Sequence, residues 1–445
     1  MNQSLFCTLF LVFLGLLSSQ SLKAQKQTNP PYWLDETKME ENRLPMHASY
    51  FAFSNEKEAL QNNRESSENN LNLNGVWKFK FFEKPADVPQ NIESPSFKDD
   101  NWDNFKIPAT WEVNNYGDPI YVNVGYEFQH LQAFIPPIVP MSFDPTGVYR
   151  REIDVPQNWT GKNITLHIGA AKSNLTVWVN GKYIGYSEDG KLPAEFDLST
   201  VLTTGKNLIV MRIMRWCDGT YLEGQDFWRM SGITRDCYLV KREKTHINDF
   251  AVNTILDAEY KNASLNLKIK LSGNATAKVS AKLTDGEKII ASSDVAFKNE
   301  AEKSVSIPVA APKLWSAEEP NLYKLTLTLT DNSGKLIEVI PQLVGFREVK
   351  IVDGLFLVNG QPVLIKGANR HETDPITGQT ISKESMLRDV KLMKQFNINA
   401  VRTCHYPNDE YWYQLCDQYG IYVVDEANNE SCGGAQSTHH LHLRK

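Results

Sequence analysis

Cysteine is scarce in this sequence: six residues in 445, with no Cys-x-x-Cys spacing among them. That spacing would be needed for a zinc ribbon. Without Cys7, the remaining Cys217, Cys237, Cys404, Cys416 and Cys432 form an odd, scattered set, which is not a disulfide framework. They read as buried free thiols, with a Cys217–Cys237 pair left open should their strands be neighbours. A basic excess is also lacking. The formal net charge of -6 gives no surface for displacing counterions from phosphate, so nucleic acid is not an expected partner. Long apolar runs are absent except for Leu5 to Leu17. That run is too short to span a bilayer and suits the core of a signal peptide cleaved after Ala24, with a buried N-terminal helix as the alternative. The protein is therefore read as periplasmic or secreted, with no membrane span after cleavage. What is present is a composition of 41% hydrophobic, 11% aromatic and 22% charged residues, which is that of a soluble globular chain. Its length allows about three domains.

After the signal peptide (1–24), residues 25–67 are polar and carry Pro30-Pro31, and read as an irregular lead-in. Strands then dominate. Trp77, Phe79 and Phe81 alternate with lysines, the period-2 pattern of a half-buried strand. Leu175–Val179, Asn180-Gly181 and Lys182–Tyr186 spell a hairpin, because Asn-Gly supplies the positive φ angles of a tight turn. Residues 68–243 are predicted to form a jelly-roll-like β-sandwich. Residues 244–346 alternate again, at Leu265–Leu271, Val279–Leu283 and Tyr323–Leu329, with an Asp285-Gly286 turn, and suggest an immunoglobulin-like β-sandwich.

From residue 347 the pattern changes. A hairpin at Asn359-Gly360 leads into a predicted strand over Val363–Asn369. Met386, Val390, Met393 and Phe396 recur at helical spacing. Ala400–Cys404 is the next strand, Asp409–Tyr419 a second helix ended by Gly420, and Ile421–Asp425 a third strand. This is the opening of a β/α barrel, so the fold class is multidomain β plus α/β, ending in the first three strands of a (β/α)8 barrel. Functional groups in such barrels sit at the C-terminal ends of strands. Asn369, Arg370 and His371 follow the first strand, His405 the second, and Glu426, Asn428 and Glu430 the third. These polar groups are expected to face one mouth, as a sugar ring requires.

Three blocks stand out: Arg215 to Ile233, Gly367-Ala-Asn-Arg-His-Glu372, and Asn399 to Pro407 continuing at Asp425 to Glu430. In this order, across two sandwiches and a barrel, they resemble the large β-galactosidases of glycoside hydrolase family 2, over residues 70 to 430. The resemblance implies retaining hydrolysis of terminal β-D-galactosyl residues, with galactosides as partners. β-Glucuronidase and β-mannosidase activities are the nearby alternatives, less favoured by the Trp-Arg-Met-Ser-Gly and Arg-His-Glu blocks. It also implies that His371 and His405 contact substrate, that Asp226 meets the sugar and a sodium ion, and that Asn123 lies beside the same sugar. Glu430 takes the place of a magnesium ligand after the third strand, not that of the acid/base its Asn429-Glu430 pair imitates. Where the family has a further His, this chain has Cys432, a poor donor to a hard cation. Arg402 reads either as a group holding neighbouring carboxylates charged or as a structural ion pair, and Trp216 and Trp228 read as packing.

Retaining hydrolysis needs two carboxyl groups roughly 5 Å apart. The resemblance places them after the fourth and seventh strands, beyond Lys445. No catalytic carboxylate is therefore assigned, and the chain is expected to be inactive alone. A non-catalytic carbohydrate-binding or defective product is the alternative from a different class. The tail from Gly433, with His439, His440 and His442, lacks helical or strand periodicity and reads as a short disordered or out-of-frame end. A frameshift near Asn429 would account for it. An intact enzyme would be compatible with an oligomer.

Overall fold

A computed structural model describes residues 31–431. The expectations for the signal peptide, Cys7, Cys432 and the histidines of the tail lie outside the described residues. Among the described residues no helix is long and apolar enough to cross a membrane.

The first sandwich pairs two antiparallel sheets. One runs, in spatial order, Glu40–Glu41, Lys182–Glu188, Asn174–Val179, Gly205–Met214, Thr146–Val155, Gly75–Phe82 and Asp103–Ile107. The other runs Ala194–Asp197, Asn163–Ile168, Cys237–Arg242 and Asn70–Asn72. Alternating side chains meet between them: Trp77 and Phe79 from one sheet, Leu166 and Leu239 from the other, all essentially buried. The Asn180-Gly181 turn has φ angles of 52° and 80°, as the sequence predicts. A short ribbon leaves the sandwich, β1 (Ile120–Val122) paired with β2 (Phe227–Arg229). Its base is fixed by Arg215, whose guanidinium meets Glu127 at 2.8 Å and Glu112 at 3.5 Å and donates to the Arg229 carbonyl at 3.2 Å. Burial pushes the Glu112 carboxyl up to about 7, against the pull of Arg215 and the Ser231 N–H. Arg215 is thus a scaffold residue. Trp216 packs as expected, 1% exposed, and the four described cysteines are free and buried.

In the second sandwich one hairpin serves both layers. Strand Asn262–Asp285 pairs along its first half with Ile247–Leu256 and along its second half with Tyr323–Asp331, while Lys288–Ala310 follows it throughout. Register breaks between Lys270 and Ala275, around exposed Gly273, let the strand bend from one layer to the other. The predicted alternation holds: Leu265, Leu267, Ile269, Val279, Leu283, Leu325 and Leu327 share one core. The lead-in is not irregular over its described part. Glu40–Glu41 joins the first sandwich, Phe53 bridges to Val339 of the second, and a helix spans Glu56–Gln61. Ala52, Phe53 and Ala59 are buried against the second sandwich, so the strap is tied to the first domain by its strand and to the second by its apolar residues.

The last unit is parallel: β3 (Gly367–Arg370), α1 (Lys383–Gln395), β4 (Ala400–Thr403), α2 (Glu410–Tyr419) and β5 (Tyr422–Val424). Ser382 caps α1 and Asp409 caps α2 through side-chain oxygens. Two expectations are corrected here. The apolar run Val363–Lys366 is not strand, and Leu364 and Ile365 are exposed, because pairing with β4 begins only at Gly367. Phe396 ends α1 on the outside, 74% exposed, while Met386 and Val390 face the core. Gly420 closes α2 with φ 73°, and a β-carbon there would lie 2.4 Å from the Ala317 carbonyl. Gly420→Ala is expected to cost more than the ~1–3 kcal/mol of a left-handed non-glycine residue alone, seen as a lowered urea midpoint.

Candidate active site

Side-chain alternation on β3 sorts its motif into two roles. Asn369 and His371 point to the open end of the sheet. Arg370 and Glu372 point away, which corrects the expectation that Arg370 faces the mouth. Arg370 bonds Asp389 at 3.1 Å and Asn408 at 2.9 Å, with its guanidinium 3.9 Å from the centre of the Trp412 ring. Glu372 is buried against Arg235 of the first sandwich at 2.9 Å and accepts the Asp409 N–H at 3.0 Å.

At the mouth, the His371 and His405 rings stand 5.2 Å apart, nearly perpendicular at 75°. Arg402, opposite Asn369 in the register, supports them. Its Nε meets Glu426 Oε1 at 2.6 Å and its Nη2 lies 3.1 Å from His405 Nδ1. Glu426 Oε2 faces the same Nδ1 at 3.2 Å, so the Arg402–Glu426 pair holds one edge of the His405 ring. Arg402 thus forms an ion pair that orients a histidine. Desolvation, then the charges of His405 and Arg402, hold His371 below the usual histidine range, against the pull of Asp226 and Glu426. Below both rings, the Cys404 thiol lies within 4.8 Å of their nitrogens. Arg402 Nη1 is 3.5 Å from that sulfur, and a fixed positive charge there disfavours a cation.

The sandwich supplies the opposite wall. Asp226 precedes β2, close enough for its charge to act on His371, and accepts a hydrogen bond from the Tyr121 hydroxyl. Tyr121 pairs with Trp228 and Val122 with Phe227, so continuing the register places exposed Asn123 opposite Asp226. Trp228 is not packed inside, as the sequence reading held; it is 42% exposed and edge-on to Tyr121 at 5.6 Å. Alternation around a short two-stranded ribbon leaves one face without a covering layer. Sequence reasoning missed Tyr121 as well, although its place two residues before Asn123 puts it on the same face.

Two clasps hold the walls together. Gln379, after β3, donates to the Trp228 carbonyl at 2.7 Å and accepts from Lys191 at 2.9 Å. Beyond β5, Asn428 bridges Gln225 and Asp189 at 2.7 and 2.8 Å. Glu430 joins Leu222 and Gly224 through its backbone, at 2.7 and 2.8 Å, and its charge reaches Arg402. Among the described residues no cluster of three ligand-bearing side chains forms around Glu430 or Asp226. One hard oxygen donor is too few for magnesium, which takes six, so the described residues do not complete that site.

The two sandwiches and the β/α unit, with candidate site residues drawn from the first and the last, define a known architecture: the chain belongs to glycosyl hydrolases family 2. Residues 71–243 match that family's sugar binding domain, 245–347 its central domain, and 349–444 its TIM barrel domain. Among curated relatives, the β-galactosidase of Psychromonas ingrahamii is 41% identical over 416 residues, and that of Priestia megaterium 38% identical over 403. These alignments cover 90% and 88% of this chain, which spans 39% of the length of each relative. Among solved structures, a β-glycosidase from Bacteroides vulgatus superposes with TM-score 0.66 at 27% identity, covering 80% of this chain and 44% of that one. A β-glucuronidase from Ruminococcus gnavus gives 0.67 at 25%, covering 82% and 60%.

Proposed function

We propose that this chain carries the sugar-binding side of a retaining β-galactosidase, acting on terminal β-D-galactosyl residues of an exported galactoside-degrading system. The observation behind this reading is the meeting of Asp226 from the sandwich with His371 and His405 from the strand ends, supported by the names of the curated relatives. Asp226, His371 and Asn123 supply acceptors and donors to hydroxyls, and His405 presents the ring edge opposite the Arg402–Glu426 pair. Asp226 would hold sodium beside the sugar, and Glu430 would contribute one oxygen to magnesium with other ligands from outside the described residues. The carboxylates in place are engaged: Glu426 by Arg402 and His405, Glu372 by Arg235. The acid/base and nucleophile, about 5 Å apart in a retaining enzyme, are on this reading not among residues 31–431.

The test is binding and turnover on the purified chain. Saturation-transfer NMR is expected to show galactose and lactose bound. His371→Ala and Asp226→Ala should each weaken binding about tenfold or more, the loss of a hydrogen bond to a sugar costing about 1.5–3 kcal/mol where one partner is charged. Nitrophenyl-β-galactoside should not be hydrolysed above background. Hydrolysis by the pure chain would place a catalytic pair within it, and tighter binding of glucuronic acid than galactose would overturn the substrate class.

A further inference from the structure

The ribbon of β1 and β2 carries two pairs of side chains on its open face, and the galactose contacts use only one pair. Pairing sets Tyr121 opposite Trp228, and continuing the register sets Asn123 opposite Asp226. Strand side chains alternate, so these four share a face, while Phe227 and Arg229 turn inward, each 3% exposed. In the polar pair, Asp226 is close enough for its charge to act on His371. The aromatic pair lies two residues along, about 6.6 Å by strand geometry, a step comparable to one pyranose ring. Both rings are open, Tyr121 at 51% exposed and Trp228 at 42%. Large apolar groups gathered on one face mark a binding surface more than scattered ones do. Their planes meet at 65° with centroids 5.6 Å apart, which makes a corner instead of a flat patch.

The corner is also held in place. Gln379 of the β/α unit donates to the Trp228 carbonyl at 2.7 Å, and Arg215 donates to the Arg229 carbonyl at 3.2 Å. Tyr121 joins the two halves of the face, since its ring belongs to the corner and its hydroxyl is bonded to Asp226. A surface fixed in this way has little freedom left to lose on binding. We propose that Trp228 and Tyr121 form a platform for the sugar ring that follows the galactosyl group, so that the preferred ligands are β-galactosides of other sugars. This platform presupposes that Asp226, His371 and His405 contact galactose. A pyranose with mostly equatorial hydroxyls shows C–H bonds on its ring faces, and these pack on the electron-rich face of an aromatic ring. Covering the two rings also removes apolar surface from water. An occupant of another kind, such as a peptide, would leave Asp226 and Asn123 on the same face unused.

The test uses the purified full chain with lactose and with methyl β-D-galactoside, which lacks the second ring. Saturating the aromatic protons of the protein in NMR should transfer signal to both rings of lactose. Lactose is expected to bind roughly threefold to tenfold tighter than the methyl galactoside, the gain of one aromatic contact. Trp228→Ala should remove that ratio and the transfer to the glucose ring, and Trp228→Phe should recover part of both. Transfer confined to the galactose ring of lactose in the wild-type chain overturns the platform and leaves the galactose reading intact. Transfer to neither ring overturns both. This wild-type measurement decides the matter even should a variant fail to fold. Smaller species on sedimentation of Trp228→Ala, with its sugar signals unchanged, would overturn the platform too and assign the two rings to contact between copies of the chain.

Discussion

Arg235→Ala is expected to release the β/α unit from the first sandwich while leaving that sandwich folded. Arg235 lies under the junction, its side chain 11% exposed. It donates to Glu372 at 2.9 Å, to the Pro407 carbonyl at 2.7 Å and to the Lys191 carbonyl at 2.7 Å. Its removal strands a Glu372 carboxylate whose side chain is only 5% exposed. Breaking one partner of such a buried pair costs about 3–5 kcal/mol, a large share of a domain's usual ~5–15 kcal/mol. Burial pushes the Glu372 carboxyl up, but Arg235 and the Asp409 N–H outweigh it and hold it below the usual carboxylate range. The depressed group stabilises above its unfolded pKa, and that contribution is lost as pH falls through the folded value. Limited trypsin digestion should therefore cut residues 347–431 in the variant and spare 68–243. The double variant Arg235→Met, Glu372→Gln removes the stranded charge and should recover most of the loss. If it is as unstable as Arg235→Ala, the buried charge is not the cause.

Raising the pH from 7 to 9 should strengthen the same junction, and Lys191→Met should reduce that dependence. Lys191 is 2% exposed. Burial first, then the charges of Lys172 and Arg235, pull its ammonium down to about 7, against Glu372 and Glu223. The unfolded chain binds this proton up to its ordinary pKa near 10.5. Between these values the unfolded state carries more protons, so stability rises with pH by about 1.4 kcal/mol per pH unit from this group. Below the folded value both states are charged and the slope vanishes. Lys191→Met leaves Gln379 Oε1 without its donor, a cost of about 1–3 kcal/mol, so absolute stability at pH 7 is not the readout. The slope is. Urea titrations at pH 7, 8 and 9 should show a steeper rise in the wild type than in the variant, and equal slopes would refute the assignment.

Local chemistry made much of this architecture readable from the chain. Asn180-Gly181 and Gly420 dictate their turns whatever surrounds them, and Leu265 to Leu271 alternate because one face of that strand meets a core. What escaped the sequence depends on partners distant along the chain. Arg370 and Glu372 flank His371 in one block, yet pleating sends them to the opposite face, where Trp412 and Arg235 wait. Trp228 reads as core by its chemistry, but its ribbon has no second layer above it. Val363–Lys366 has strand composition without a neighbouring strand to pair with. In the candidate site, the motifs pointed to His371, His405 and Asp226, which the fold brings near one another. They did not point to Tyr121, Gln379 and Lys191, since each acts through a contact made across domains.

Glu430 meets the sandwich through peptide groups at Leu222 and Gly224. The Leu222 side chain can therefore change without removing either of these two bonds. Length cannot. A single deletion between Leu222 and Asp226 would slide the loop by one residue along a strand-like bridge, turning Glu430 away from Arg402 and moving Asp226 away from His371 together. A change of length at that clasp is accordingly expected to disturb the pocket more than a substitution of Leu222.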